Sequence, residues 1–149
     1  HKISVFTNEI AKLNVAFKTG NSKLYSILQA GLTPDTVSKV FSFGYGLGSE
    51  LALNKRKTLT LNPEFTSEYI YLGSWNRTNI LNKLHLLLTV KLNKYISFFA
   101  APSYAIFVSD QKTKVPGYRF PVPVHGFKEH TYNGKVSGWF GWSLGINFL

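Results

Sequence analysis

Residues 136–149 read VSGWFGWSLGINFL, and this stretch decides the fold. Every second residue belongs to an almost wholly apolar set: Val136, Gly138, Phe140, Trp142, Leu144, Ile146 and Phe148. The residues between them are mostly small or polar. A period of two predicts a β-strand, because successive side chains point to opposite faces. One apolar face and one small, polar face are typical of a transmembrane β-barrel, which has lipid outside and a polar interior.

The composition sets limits on the class of protein. A chain of 149 residues is the size of one domain, here residues 1–149. It has no run of 18 apolar residues, which excludes a transmembrane helix but not a barrel, because barrel strands alternate. There is no cysteine, so disulfides and thiolate chemistry are excluded. The chain begins at His1 without a signal peptide, and we interpret it as a mature or trimmed form.

The net charge of +10 admits three kinds of partner: nucleic acid, an anionic membrane surface or an acidic protein. The basic residues form no dense run, so we expect no nucleic-acid partner. Aromatic residues make up 15% of the chain, which the aromatic girdles of a membrane barrel would explain. The spacing Gly44-x-Gly46-x-Gly48 lacks the helix and lysine of a nucleotide loop, so we expect no cofactor.

Alternation of this kind predicts an all-β, antiparallel, up-and-down transmembrane barrel of eight strands. Seven strands are predicted directly: 2–18, 23–32, 41–54, 58–72, 80–92, 95–109 and 136–149. Bacterial barrels have an even number of strands. Either the first segment therefore folds as two strands with a turn near Asn8, or a further strand precedes His1. Pro63 and Pro102 each predict a bulge or break, since proline cannot donate to the ladder.

The connections alternate in length. Tight turns are predicted at 19–22, 54–57 and 93–94, and longer ones at 33–38, 73–78 and 110–135. Outer-membrane barrels have short periplasmic turns and longer extracellular loops. With the C-terminus in the periplasm, every predicted tight turn falls on the periplasmic side. The segment 110–135 shows no period and is predicted to be a long extracellular loop.

Three segments together resemble the small outer-membrane β-barrel proteins of Bacteroidota: GYGLGSELALNKRKTLTLNPEF, KLNKYISFFAAPSYAIF and GWSLGINFL. In that family, a glycine-alternating strand enters a short Lys-rich turn, and the chain ends on a glycine-aromatic strand. The resemblance covers roughly residues 40–149. It implies a location in the bacterial outer membrane. It also implies that the outer-membrane assembly machinery reads the last strand as an insertion signal, through Phe140, Trp142, Leu144, Ile146 and Phe148. Leu149 after the terminal aromatic is a departure from the family.

The inward face of the predicted strands carries charges of both signs, which must pair when buried. The predicted interior ion-pair residues are Glu50, Glu64, Glu68, Lys83, His85 and Lys91. If the loop near Ser74–Arg77 joins neighbouring strands, Glu68 lies almost opposite Lys83, and we predict that ion pair. An eight-stranded interior is just wide enough for side chains to fill. We therefore expect a plugged interior and no pore.

The long loop mixes basic and aromatic residues and is the strongest candidate for binding. Its candidate contact residues are Lys112, Lys114, Tyr118, Arg119, Phe120, Phe127 and Lys128. Such a surface suits lipopolysaccharide phosphates, or it could dock another envelope protein. The simplest alternative is a tethered lid with no ligand.

No catalytic or metal-binding residue is predicted. Lipid A deacylases have a His-x-Ser arrangement, and His85, His125 and His130 do not match it. Two loop histidines without acidic or cysteine partners are weak evidence for a metal. The sequence thus favours a non-enzymatic outer-membrane barrel that serves as a structural or accessory subunit of an envelope complex. Two alternatives stay open: a soluble lipocalin-like barrel that binds an apolar ligand inside, and a lipid-modifying barrel enzyme.

Overall fold

The structure is a computed structural model that describes residues 1–33, 40–73, 75, 77–110, 126–131 and 134–149. Side chains are not described at 40, 126–131 and 134. The described residues form ten strands: Lys2–Asn8 (β1), Leu13–Gly20 (β2), Tyr25–Thr33 (β3), Val40–Gly48 (β4), Leu51–Ala52 (β5), Leu59–Tyr71 (β6), Asn79–Lys91 (β7), Ile96–Ser109 (β8), Gly126–Thr131 (β9) and Gly134–Phe148 (β10). Among these residues, no helix is long and apolar enough to cross a membrane.

Eight of the strands close on themselves. Each pairs antiparallel with its neighbours in the order β1-β2-β3-β4-β6-β7-β8-β10. The ring closes because β10 also pairs with β1, from Ile3 opposite Phe148 to Asn8 opposite Ser143. The predicted eight-stranded antiparallel barrel is confirmed. The first predicted segment folds as two strands, β1 and β2, with the turn after Asn8.

An asparagine begins each of the four tight turns, at Asn8, Asn21, Asn54 and Asn93. In every case its side-chain Oδ1 accepts hydrogen bonds from two backbone amides further along the turn, at distances between 2.7 and 3.2 Å. Asparagine favours turns because its side chain can replace a backbone acceptor in this way. These four residues fix where the strands reverse.

The two ends of the barrel differ. The turns that follow β2, β4–β5 and β7 lie at the end that holds both termini, here called the terminal end. The connections after β3, β6 and β8 lie at the other end, here called the long-loop end. The predicted separation of tight turns from longer connections is thus present. The turn at residues 9–12, one of the two predicted alternatives for the first segment, is an exception to this separation, because it is tight and lies at the long-loop end.

Both strand prolines interrupt the ladder, as predicted. Opposite Pro63, the pairing of β4 stops at Gly48 and resumes in β5 at Leu51, which lies opposite Leu61. The backbone amide of Ser49 donates to the Pro63 carbonyl at 3.1 Å across this bulge. At Pro102, the β7–β8 ladder skips two residue pairs between His85 and Leu88. The missing N–H of proline accounts for both interruptions.

The segment 110–135 contains a strand, which corrects the expectation of a stretch without period. β9 pairs with the first part of β10, from Gly134 opposite Thr131 to Trp139 opposite Gly126. β1 stops at Asn8 opposite Ser143 and leaves this edge of β10 unpaired. β9 therefore continues the wall at the long-loop end, where β1 is too short to reach.

Candidate functional site

The outer wall of the barrel is the largest candidate surface. Large apolar side chains are exposed on every one of the eight wall strands. Within the described part of the chain, no outward-facing position of these strands holds Asp, Glu, Lys, Arg or His. Soluble monomers rarely expose a contiguous apolar patch larger than a few hundred Å². This surface is thus suited to an apolar environment.

Aromatic rings gather on the outer wall at the long-loop end. Trp75 stacks on Tyr69 with ring centroids 5.6 Å apart and lies 4.6 Å from Tyr71. Phe43 packs against both Tyr69 and Trp75. The Tyr69 hydroxyl donates to the backbone carbonyl of Arg77 at 2.8 Å. Apolar rings with polar edges suit a boundary between apolar and aqueous surroundings.

The interior holds buried polar and charged side chains in layers. Nearest the terminal end, the Glu50 carboxylate bridges two lysines, at 2.5 Å from Lys2 Nζ and 3.0 Å from Lys91 Nζ. These groups border an open cavity of about 230 Å³, whose lining also includes Thr89 and Asn147. The two ammonium groups compensate the charge of this partly buried carboxylate.

Glu50 should stabilise the barrel through its two lysine partners. We expect Glu50→Gln to lower the unfolding free energy by about 1–2 kcal/mol at pH 7. Urea titrations at low and at high salt would measure this difference. The difference between wild type and variant should be smaller at high salt, because these ion pairs border an open cavity and are screened there. A difference that grows with salt would contradict the assignment.

A second ion pair crosses the middle of the barrel. Lys18 Nζ lies 2.5 Å from Glu64 Oε1, and the Tyr25 hydroxyl donates to the same oxygen at 2.6 Å. The Lys18 ammonium also lies 5.7 Å from the centroid of the Phe99 ring. Both charged side chains are more than nine-tenths buried. This cluster fills the interior above the terminal-end cavity.

A third ion pair forms because the turn after β1 folds into the barrel. Glu9, in that turn, places Oε1 at 2.6 Å from Lys83 Nζ, whose side chain is fully buried. The indole Nε1 of Trp139 donates to the same oxygen at 3.3 Å, and the Trp142 backbone amide donates to Oε2 at 3.1 Å. A Cβ atom at Gly141 would collide with this carboxylate, which explains the glycine there. We call this arrangement the Glu9 lock.

The same turn closes the long-loop end with apolar side chains. Ile10 is buried against an interior cluster that includes Leu72, Leu81, Phe107 and Trp139. The Thr33 hydroxyl donates to the Ile10 carbonyl at 3.1 Å and accepts from the Lys12 amide at 3.2 Å. Charged layers thus occupy the terminal and central parts of the interior, and an apolar layer lies above them.

The predicted interior residues all lie inside, but the one predicted ion pair is not among those that they form. Glu50 and Lys91 pair with each other, whereas Glu64 pairs with Lys18. The expected Glu68–Lys83 pair does not form. In the ladder Lys83 lies opposite Thr66 and Glu68 opposite Leu81, and the inserted turn brings Glu9 to Lys83 instead. His85 has no ion-pair partner among the described residues; its Nε2 contacts the Thr66 hydroxyl at 3.3 Å.

The structure describes the predicted residues of the terminal strand, but it does not describe the side chains of the predicted loop contacts. On the terminal strand, Phe140, Trp142, Leu144 and Phe148 are exposed on the outer wall, and Ile146 is half-buried there. Most of the predicted loop contacts, Lys112, Lys114, Tyr118, Arg119 and Phe120, lie outside the described residues. Phe127 and Lys128 are part of β9, but their side chains are not described. The histidines His125 and His130 likewise have no described side chains.

Sequence reasoning missed the residues that hold the interior together: Glu9, Lys18, Tyr25 and Trp139. Glu9 interrupts the apolar face of the first segment, and it follows an asparagine that could begin a turn. These two signals together could have placed the carboxylate inside. No described group of three or more His, Cys, Asp or Glu side chains could hold a metal ion.

The fold and site define this chain as a closed eight-stranded antiparallel β-barrel with a charged interior and, on the described part of its eight ring strands, no charged outward residue. Comparisons with models of protein families, with curated proteins and with solved structures found no match to the chain.

Proposed function

We propose that this protein is a small integral β-barrel of a bacterial outer membrane, with a plugged interior and no enzymatic activity. The observation that carries the proposal is the apolar outer face of the eight strands that close the ring, on which no described outward position is charged. Charged and polar side chains lie inside, which is the reverse of a soluble domain. The resemblance to small outer-membrane barrels of Bacteroidota is part of the same proposal.

The dimensions of the wall support an outer-membrane location. Outward residues of β7 run from Ile80 to Val90 without a charge. At about 3.4 Å per residue and a tilt of about 40°, this stretch covers about 26 Å along the barrel axis. The apolar band of outer-membrane barrels is about 25 Å tall. The aromatic cluster around Trp75 lies where a girdle would meet the headgroups of lipopolysaccharide.

The filled interior favours a structural or accessory role within an envelope complex over a channel. Four ion pairs in three clusters, together with the inserted turn at residues 9–12, occupy the space that a pore would need. Partners would then meet the protein through lipid-facing walls or through the loop at 110–135. A soluble lipocalin-like barrel would need its apolar face inside, and here that face is outside. A lipid-modifying enzyme would need a nucleophile and a base together at the membrane edge, and His85 lies in the interior.

Extraction and gel migration test the proposal. We expect the protein to stay with outer-membrane fractions through salt and alkaline washes and to be released only by detergent. Unboiled samples should migrate faster than boiled ones, because a closed barrel resists dodecyl sulfate until it is heated. The fractions should be compared with a known soluble protein of the same preparation. A chain that stays monomeric in water without detergent would contradict the proposal.

A further inference from the structure

The net charge of the protein is concentrated outside its interior. The interior cations Lys2, Lys18, Lys83 and Lys91 are matched by the carboxylates Glu9, Glu50, Glu64 and Glu68. The whole net charge of +10 therefore belongs to residues outside this interior set. At the terminal end, the turns at 21–24, 53–58 and 92–95 contain five basic residues and no acid: Lys23, Lys55, Arg56, Lys57 and Lys94. We call these five residues the basic collar.

Each turn of the collar sets a cation beside an exposed apolar side chain. Leu24 follows Lys23, Leu53 precedes the Lys55–Lys57 run, and Tyr95 follows Lys94. The Lys94 ammonium lies 4.8 Å from the centroid of the Tyr95 ring. No residue of the collar forms a salt bridge with another described residue. Their charges are thus available, at the rim where the apolar wall ends.

Lys57 provides a second, independent observation. Its backbone φ is 53°, in the left-handed region that glycine or asparagine normally occupies. A lysine there strains the backbone, and glycine at the same position would relieve that strain. Residues held in such conformations are a reason to look for a function. At this turn, a charged lysine occupies a position where the backbone conformation alone favours glycine or asparagine.

We propose that the basic collar binds the phosphate groups of anionic phospholipids in the leaflet at the terminal end. This inference rests on the proposed membrane location and names the lipid class that the rim would select. Lysine and arginine can keep their alkyl stems along apolar surface while their charges reach phosphate. The cations are spread over three turns around the perimeter and adjoin the apolar wall. That arrangement fits a ring of lipid headgroups better than one acidic protein surface or a nucleic-acid strand.

Electron paramagnetic resonance with spin-labelled lipids can test the collar. The full chain would be reconstituted in phosphatidylcholine vesicles that contain spin-labelled phosphatidylglycerol or phosphatidylcholine. The measured quantity is the ratio of the two association constants with the barrel surface. Each cation near an anionic surface raises the association constant about fivefold, and only lipids in contact with the collar are affected. We expect a ratio of about 3 at low salt, averaged over all boundary lipid, falling as salt is added.

Two variants of the same turn locate the effect. The turn variant is Lys55→Gln with Arg56→Gln and Lys57→Gly, and it should keep the fold because glycine relieves the strained turn. The control variant, Lys55→Arg with Arg56→Lys, changes two of the same side chains but keeps their charges. We expect the ratio to fall below about 2 in the turn variant and to remain near the wild-type value in the control variant.

The outcomes separate the two proposals. Absence of any motionally restricted lipid would overturn the membrane location, and the collar with it. Restricted lipid with a wild-type ratio near 1 would overturn the collar alone. A turn variant that keeps the wild-type ratio would do the same, as would a charge-keeping control variant that loses it equally.

Discussion

Replacing Glu9 by Gln is expected to lower the unfolding free energy of the barrel by about 3–5 kcal/mol, because it leaves the Lys83 ammonium buried without its partner. The side chain of Lys83 is fully buried, and its Nζ lies 2.6 Å from Glu9 Oε1. Glutamine has a single acceptor oxygen, so it could keep only one of the two hydrogen bonds that Glu9 accepts from the Trp139 indole and the Trp142 amide. Urea titration of the folded barrel in detergent, followed by the heat-sensitive band shift, would measure the loss of stability.

A double variant tests whether the lost stability comes from the unpaired charge of Lys83 or from the change in the Glu9 side chain itself. Lys83→Met has a similar volume and no charge, so Glu9→Gln with Lys83→Met should recover much of the lost stability. Glu50→Gln serves as a matched control at a more solvated site, with a smaller expected loss of about 1–2 kcal/mol. The Glu9 lock would be contradicted if the single variant were as stable as the control, or if the double variant recovered nothing.

The strands and their faces could be predicted because alternation is a local property of the sequence. In β8, the exposed residues Phe98, Ile106 and Val108 alternate with the buried residues Phe99, Ala105 and Phe107. Such a pattern identifies the strand and its two faces without knowledge of any neighbour. The interruptions at Pro63 and Pro102 were equally local, since each follows from a missing backbone donor. Alternation therefore identifies the strands and their two faces in this type of chain.

Pairings between distant residues could not be predicted from the same pattern. Lys18 and Glu64 are 46 positions apart, and their contact depends on the shear of the closed barrel. Glu9 reaches Lys83 only because its turn bends inward over the long-loop end. Alternation showed only that Glu9 interrupts the apolar face of the first segment, and it left open whether that segment is one strand or two. β9 was missed because its pairing depends on an edge that exists only after β1 ends.

The interior and the outer wall make different contributions to the stability of this fold. A barrel whose outer wall lies in lipid gains little from burying apolar side chains in its interior, because lipid is already apolar. The ladder, which closes from β1 to β10, then satisfies the backbone groups of the wall. Specific contacts inside, such as the Glu9 lock and the Lys18–Glu64–Tyr25 cluster, fix one register among several possible ones. On this view, the interior charges determine how the strands are paired, and the apolar wall determines which environment the barrel occupies.

Leu86→Arg should destabilise the folded barrel in a bilayer by about 2–4 kcal/mol, because it sets a charge at mid-height on the outer wall. Leu86 lies near the centre of β7, opposite Pro63, and its side chain is 45% exposed. In lipid, that exposed surface faces hydrocarbon, and the arginine must snorkel or remain poorly solvated. Urea-dependent folding equilibria in lipid vesicles would give the difference in free energy from wild type.

Leu53→Arg is the matched control, since Leu53 is 51% exposed but lies at the turn of the terminal end. A charge near the interface costs only about 0–1 kcal/mol, so the two arginines should differ by about 2–3 kcal/mol. In water the two exposed sites would be nearly equivalent, and each change would stay within about 0.5 kcal/mol. Equal effects of the two substitutions in vesicles would therefore place the outer wall in water and contradict a lipid-facing barrel.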